Sequence, residues 1–150
     1  MKTILFTDYG YKQLKAKLDT EMNKRPGAVI ALQKGRDMGD LSENGLYKAA
    51  KMELSNIDRQ IRYLKHLLKY GKPTAPKDNS TIQFGHFVTI EDKTGRKTYQ
   101  IVGEYEANPG DYKISFISPL GKNLLGKGIG NKIHLKTIRG MNEYLIIKIA

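Results

Sequence analysis

The stretch that decides the fold is Gly35-Arg-Asp-Met-Gly-Asp-Leu-Ser-Glu-Asn-Gly45. It is short and polar, and a long segment with helical periodicity lies on each side of it. A short connection between two long helices makes them antiparallel neighbours, so we expect this stretch to form the far end of a hairpin. A position so far from any core gives little structural reason for clustered acids. The pair Asp40 and Glu43 therefore marks the tip as a candidate functional site.

The segment after the tip carries the clearest periodic signal in the chain. Its apolar residues recur at alternating spacings of three and four, which is the heptad pattern of a coiled-coil seam. The seam consists of Tyr47, Ala50, Leu54, Ile57, Ile61, Leu64 and Leu68. Gly71 followed by Pro73 predicts the end of this helix.

A partner helix is predicted before the tip, beginning after a cap at Thr7 and Asp8. Proline removes a backbone donor and clashes with the preceding turn, so Pro26 predicts a kink or a restart near Arg25. We expect an antiparallel coiled-coil hairpin over residues 1–74, with its tip at about 36–45. The apolar face of the first helix is predicted to begin with Tyr11, Leu14, Leu18 and Met22.

The chain changes character after a proline-containing linker at residues 75–80. From residue 81 to 150, β-branched and aromatic runs alternate with turn signals, which predicts an antiparallel sheet of about five strands. One short helix is expected near Asn123–Leu125. The fold class is therefore α+β. The predicted strands are 84–90, 99–102, 114–117, 132–138 and 144–149.

Composition narrows the function classes. The chain has no cysteine, which excludes disulfides and thiolate metal sites and suits a reducing cytoplasm. No apolar run is long enough for a signal peptide or a membrane span, so we expect a cytoplasmic protein. The net charge of +11 favours polyanionic partners, nucleic acid above all, although a charged surface also serves solubility alone.

The acids of the tip allow two interpretations. In the first, Asp40 is the N-cap of the second helix and Glu43 completes a capping box three residues later. In the second, the carboxylates bind a hard cation such as Mg²⁺, whose remaining ligands come from water, phosphate or another protein. The two interpretations are compatible, because a cap uses only part of a carboxylate's acceptor capacity.

Basic residues flank the tip: Lys34 and Arg36 precede it, and Lys48 and Lys51 follow it. They are either an ordinary solvated helix face or a positive collar suited to a phosphate backbone.

Two other sequence patterns do not indicate a binding or catalytic site. The run Gly121–Gly128 resembles a phosphate-binding loop, but Gly128 replaces the required hydroxyl and a strand follows instead of a helix. We interpret it as a loop that its glycines permit. His66, His86 and His134 lack the spacing of metal ligands, and no catalytic triad is present.

With these residues in view, the chain resembles the bacterial GreA/GreB transcript-cleavage factors over nearly its whole length. Three ordered motifs carry the resemblance. The first is Gly39–Asn44 with Tyr47 and Ala49–Lys51; the second is Tyr99–Gly103 with Glu106–Ala107; the third is Ser118–Gly121 through Leu124–Lys127.

The resemblance implies a coiled-coil hairpin followed by an FKBP-like domain. It implies that the hairpin enters the secondary channel of bacterial RNA polymerase, where Asp40 and Glu43 help hold the second Mg²⁺ of the polymerase active centre. The polymerase then cleaves the backtracked RNA 3′ segment, so the factor itself is not an enzyme and binds no cofactor stably alone. Ser42 matches a tip position that orients the attacking water or the RNA.

The resemblance also implies that Arg36 and Lys51 contact RNA, with Lys34 and Lys48 in the same basic patch. It implies a monomer in the cytoplasm with no membrane association. One departure is Gly45-Leu46, where the family more often has Ala-Glu. Three alternatives remain: an inhibitor that occupies the channel without promoting cleavage, an FKBP-like peptidyl-prolyl isomerase, and a simple RNA- or DNA-binding module.

Overall fold

The computed structural model describes residues 2–39 and 44–150, and these fall into two compact units. One unit contains Tyr11–Gly71, and the other contains Thr3–Gly10 together with Lys72–Ala150. The described helices are α1 (Asp8–Arg36), α2 (Gly45–Tyr70) and α3 (Pro119–Leu124). Among them, none is both long enough and apolar enough to cross a membrane.

Helix α2 has the apolar face that its heptad pattern predicts. Ala50, Ile57 and Leu64 are buried, and the other four predicted seam residues are half-buried. Leu67, which lies beside the seam, is buried as well. The helix ends where the Gly–Pro signal predicts, with Gly71 as its C-cap.

Helix α1 differs from its prediction in two respects. It runs without interruption from Asp8 to Arg36, so the restart expected near Arg25 is wrong. Proline removes only its own hydrogen bond to the preceding turn, and the following residues continue the helix up to buried Gly35. Met22 is 47% exposed, so it does not belong to the buried face; the described face holds Leu14, Leu18, Ala28, Leu32 and Gly35.

One ion pair joins the two long helices directly. Arg25 Nε donates to Asp58 Oδ1 at 2.7 Å, three residues from the buried Ala28. The hydrogen bond from Arg25 lowers the pKa of the Asp58 carboxyl, and the same bond raises the pKa of Arg25. Both side chains are in contact with solvent, so the pair contributes little to stability.

The C-terminal unit is built on a curled five-stranded sheet with the order β5-β4-β3-β7-β6. Three of its described pairings are antiparallel, but β4 and β5 are parallel, so the expectation of a wholly antiparallel sheet is wrong. The chain between β4 and β5 contains a 3₁₀ turn at Pro109–Asp111 and brings β5 beside Gln100–Val102, the C-terminal end of β4. The α+β class is confirmed. The strands are β3 (Phe87–Asp92), β4 (Gly95–Val102), β5 (Lys113–Ser115), β6 (Lys132–Thr137) and β7 (Gly140–Ile149).

The core of this unit lies between the sheet and the short helix α3. Leu124 of α3 is fully buried against strand residues that include Val88, Ile101 and Ile146. Gly121 lies inside α3, where an added Cβ would stand 2.1 Å from the Ser115 carbonyl oxygen. The glycine-rich run therefore begins as a close-packed helix and becomes a loop only after it, which excludes the phosphate-loop geometry.

The N-terminal residues contribute to the same unit as the sheet. Strand β1 (Ile4–Phe6) pairs with β2 (Gly71–Pro73), and the Thr74 amide donates to the Phe6 carbonyl at 2.8 Å. The Glu106 carboxylate accepts from the amide of Thr7 at 2.7 Å and from its hydroxyl at 2.6 Å. Residues 3–10 thus belong to the unit of the sheet, whereas the sequence predicts them to be part of the hairpin of residues 1–74. The predicted domain boundaries stay predictions.

Candidate functional site

The candidate site lies where α1 ends and α2 begins. The last turn of α1 is closed by hydrogen bonds from the amides of Asp37 and Met38 to the carbonyls of Gln33 and Gly35. Gly39 then adopts a φ of +114°, a backbone conformation that favours glycine. The acids Asp40 and Glu43, together with Ser42, lie outside the described residues, so their proposed roles stay predictions.

The N-cap of α2 is Asn44, and the prediction that Asp40 caps this helix is wrong. The Asn44 side-chain oxygen accepts from the Tyr47 amide at 3.1 Å, and α2 begins at Gly45. The third position of the helix is therefore Tyr47, so Glu43 cannot complete a capping box there. Asparagine caps as well as aspartate does, and the sequence offers both within one short stretch. Helix α2 consequently does not need the carboxylates for its start.

The Asn44 side chain also reaches the other helix. Its amide nitrogen donates to the carbonyl oxygen of Gly35, in the last turn of α1. Gly35 is buried, and a Cβ at this position would stand 2.9 Å from the Cα of Tyr47. The backbones of the two helices thus approach closely at a point where only glycine fits. Sequence reasoning missed both residues, although a glycine near a helix end and an asparagine before a heptad seam are recognisable signals.

The four predicted basic residues are exposed at these helix ends. Lys34 and Arg36 lie in the last turn of α1, where positive charge suits the helix dipole. Lys48 lies in the first turn of α2, where the dipole disfavours it and the helix contributes no acid. Lys51 follows one turn later. The Arg36 guanidinium stands 5.9 Å from the centre of the Tyr47 ring, which orients it across the gap between the helices.

Two apolar side chains beside the undescribed segment were not predicted as surface residues. Met38 is 65% exposed and Leu46 is 60% exposed. They stand on the two sides of residues 40–43 in the chain. Exposed apolar groups close to charged ones are typical of a surface that meets a partner, although two residues alone do not define an interface.

In the described part of the chain, no three His, Asp or Glu side chains form a cluster that could hold a metal ion. His86 is buried: its Nδ1 accepts from the Gln83 amide at 2.8 Å, and its Nε2 pairs with Asn79 Oδ1 at 2.9 Å. Burial lowers the pKa of His86 below its ordinary value, so it is a neutral structural histidine. His66 and His134 are exposed.

The sheet unit has an open cavity of about 630 Å³ between the β3–β4 and β6–β7 hairpins. A prolyl isomerase needs a pocket with aromatic walls, and this cavity has none. Its lining is largely charged and polar: Glu91, Asp92, Lys93, Thr94, Met141, Asn142, Glu143 and Leu145. A second cavity in this unit is lined by Tyr99 and Tyr144, but it holds only about 30 Å³. Neither cavity combines aromatic walls with room for a prolyl peptide, which disfavours the isomerase alternative.

Both units match sequence profiles of one kind of protein. Residues 4–72 match the family described as "Transcription elongation factor, N-terminal", and residues 77–150 match "Transcription elongation factor, GreA/GreB, C-term". The transcription elongation factor GreA of Thermosipho africanus is 36% identical, covering 99% of this chain and 97% of the relative. GreA of Paracoccus denitrificans is 37% identical, with coverage of 99% and 98%. The crystal structure of GreA factor homolog 1 from Thermus thermophilus is 29% identical over 99% of both chains, with a TM-score of 0.46.

Proposed function

The chain belongs to the GreA/GreB family of transcription elongation factors, and we propose that it rescues backtracked RNA polymerase by stimulating transcript cleavage. In this proposal the end of the helical hairpin enters the secondary channel of the polymerase. The sheet unit docks outside. The nuclease is the polymerase itself, so the factor is an activator and not an enzyme.

One observation supports the proposal in addition to family membership. The ends of α1 and α2 are joined by hydrogen bonds, and the short segment between them contains two acids. Asn44 links α1 to α2 at that point, and Asp40 and Glu43 lie three positions apart in the sequence of the connection. A rigid base suits the presentation of charged groups to another protein. A segment needed only to close a turn would not require Asp and Glu, because Asn44 supplies the cap of α2.

Asp40 and Glu43 would supply carboxylate oxygens to a Mg²⁺ ion that the polymerase holds with its own ligands. Mg²⁺ prefers six oxygen ligands, and two acids supply only part of this shell, so the ion is shared and is not held stably by the factor alone. When bound, the ion activates water and stabilises the charge that develops on the scissile phosphate. Ser42, between the two acids, would orient the water or the RNA 3′ segment.

The basic patch of Lys34, Arg36, Lys48 and Lys51 would hold the extruded RNA near these acids. Exposed lysine and arginine side chains bind phosphates without reading sequence, which suits a substrate whose sequence varies. Lys48 supports this role, because its position in the first turn of α2 runs against the helix dipole. A factor with this role works as a monomer in the cytoplasm and does not need a membrane.

The proposal is tested by replacing both acids with their neutral amides, Asp40→Asn with Glu43→Gln. We expect saturating amounts of this double variant to lose most of the stimulation of RNA cleavage in stalled complexes with purified bacterial polymerase. The matched control is Asp37→Asn, which removes one exposed acid from the end of α1 and should leave cleavage unchanged.

Three results would contradict the proposal. If the double variant stimulates cleavage as well as the wild type does, the acids are not metal ligands. If the wild-type protein binds polymerase and slows elongation without any cleavage, the chain is the channel-occupying inhibitor. Tight, salt-sensitive binding of free RNA or DNA without any polymerase effect would instead identify a nucleic-acid-binding module.

A further inference from the structure

The end of the β6–β7 hairpin is formed by Ile138 and Arg139. The two strands pair in register up to Thr137 and Gly140, so these two residues make up the whole loop. Gly140 has a φ of +113°, which suits glycine in a tight turn, and the Thr137 hydroxyl donates to the Gly140 carbonyl at 2.9 Å. Within the described part of the chain, the side chains of Ile138 and Arg139 take no part in closing the loop.

The loop exposes apolar side chains to solvent. Ile138 is fully exposed, and Met141, one residue pair below the closing pair, is 65% exposed. Turns favour Gly, Asn, Asp and Pro, so turn propensity does not explain a β-branched isoleucine here. An open cavity of about 550 Å³ lies at this end of the hairpin. We call the residues that line it the β6–β7 surface: Lys136, Thr137, Ile138, Arg139 and Asn142.

The positive charges of the β6–β7 surface have no described acidic partner. Lys136 and Arg139 are exposed, and neither forms an ion pair with a carboxylate of the described residues. The nearest acid of the hairpin, Glu143, pairs instead with Lys132 at 3.4 Å. The surface therefore combines two unpaired cations with a fully exposed apolar side chain.

The acids of the adjoining cavity, between the two β-hairpins, are also engaged elsewhere. Glu91 pairs with Arg96 at 2.8 Å. Asp92 accepts from the Thr94 amide at 2.8 Å and from the Thr94 hydroxyl at 2.6 Å. These contacts hold the carboxylates within the β3–β4 hairpin, so the β6–β7 surface stays positive toward a ligand.

A positive, apolar end of a two-stranded ribbon fits duplex DNA. The strands of a ribbon lie about 4.8 Å apart, and the major groove of B-form DNA, about 12 Å wide, admits such a ribbon. Exposed Lys and Arg bind phosphates, and apolar side chains contact the methyl group of thymine. The major groove of duplex RNA is too deep and narrow for side chains to reach the bases.

We propose that the end of the β6–β7 hairpin binds duplex DNA, with Lys136 and Arg139 on phosphates and Ile138 against the bases in the major groove. The net charge of +11 favours such a ligand. This binding is a separate activity of the sheet unit and does not depend on the proposed function. An elongation factor acts on a polymerase that is itself bound to duplex DNA, so the ligand is present where the factor works.

Two variants separate the two kinds of contact. Lys136→Gln with Arg139→Gln removes the unpaired charges, and Ile138→Thr replaces the apolar side chain by a polar one that is also β-branched. The matched control is Lys93→Gln with Lys97→Gln, which removes the same charge from exposed positions of the β3–β4 hairpin.

Binding of the full chain to a labelled DNA duplex is measured by fluorescence anisotropy over a series of salt concentrations. We expect the Lys136 and Arg139 double variant to bind about tenfold to a hundredfold more weakly. The slope of log K against log salt concentration should fall by about two, because two contacts no longer release counterions. Ile138→Thr should weaken binding about threefold to tenfold with the slope unchanged, since an apolar contact releases no counterions. The control should lose less than about threefold, because it weakens only the long-range attraction. Equal losses in the control and the double variant would overturn the proposal.

A label on the loop tests whether DNA contacts this surface. The chain has no cysteine, so an environment-sensitive dye can be attached at Ile138→Cys, or at Ile129→Cys as an exposed control position. We expect saturating duplex DNA to shift the emission of the first label and not of the second, and duplex RNA of the same sequence to shift neither. An equal response to duplex RNA, or no response to DNA, would contradict the proposal. A response of the first label to vesicles of anionic lipid but not to DNA would show a lipid-binding surface instead.

Discussion

At the scale of single residues, two glycines of the same helix have opposite environments. Gly35 is buried against Tyr47 of α2, whereas a Cβ at Gly27 would meet nothing within 4 Å. The sequence does not distinguish them, because both are glycines inside one helical pattern. Only the packing of α2 against α1 shows that Gly35 is required and that Gly27 is tolerated.

This contrast gives a prediction for stability. Gly27→Ala should stabilise the hairpin by about 0.5–1 kcal/mol, the usual gain when alanine replaces glycine in a helix. Gly35→Ala should destabilise it, because the new methyl group collides with backbone atoms that cannot move independently. Hydrogen exchange of the buried amides of α2 measures both effects. Equal signs for the two substitutions would contradict the packing described at Gly35.

The Asn44 cap shows which part of the connection between the helices the sequence can predict. The sequence predicts an N-cap somewhere in the connection, since Asp40 and Asn44 both have suitable side chains. It does not decide between them, because cap choice depends on where the partner helix ends. The donor bond from Asn44 to Gly35 joins residues of different helices, and no local pattern predicts such a bond.

At the scale of elements, the prediction of α2 was accurate and that of α1 was less so. A heptad of apolar residues specifies a helix and its buried face together, which is why every predicted seam residue of α2 is buried or half-buried. In helix α1 the spacing of three and four predicts a buried Met22, but Met22 is exposed, because Glu21, Arg25 and Pro26 interrupt the apolar pattern that continues at Ala28.

The seam makes a prediction about the hairpin as an element. Leu64 is 4% exposed and Met52 is 67% exposed on the same helix. Leu64→Ala should lower the free energy of unfolding by about 2–5 kcal/mol, because it removes buried methyl groups and leaves a cavity. Met52→Ala should change it by less than about 0.5 kcal/mol. Chemical denaturation followed by helical circular dichroism compares the two, and similar losses would show that the seam is not the stabilising face.

The parallel pairing of β4 and β5 was not predictable from the strands themselves. Alternating apolar residues identify a strand, but its neighbour and direction depend on the connection. Here residues 103–112 pass through a 3₁₀ turn, and β5 then runs beside β4 from Gln100 to Val102. By contrast, the turn residues at 93–96 predict a hairpin, and β3 and β4 pair in the antiparallel direction that a hairpin requires.

At the scale of the whole molecule, the sequence predicted an α+β chain of two parts, and both parts match the same family. The order of three motifs predicts the resemblance to that family, and the matches over residues 4–72 and 77–150 show the membership. The tip acids, on which the mechanism rests, lie outside the described residues. Their role therefore stays a prediction.

The most direct test of the mechanism is the Mg²⁺ dependence of RNA cleavage in backtracked polymerase complexes, measured with saturating factor. If Asp40 and Glu43 donate ligands, the wild-type factor should reduce the Mg²⁺ concentration that gives half of the maximal rate. The variant with Asp40→Asn and Glu43→Gln should leave that concentration at the value of polymerase alone, while still competing with the wild type for the polymerase. An equal Mg²⁺ dependence for wild type and variant, at equal occupancy, would contradict the account.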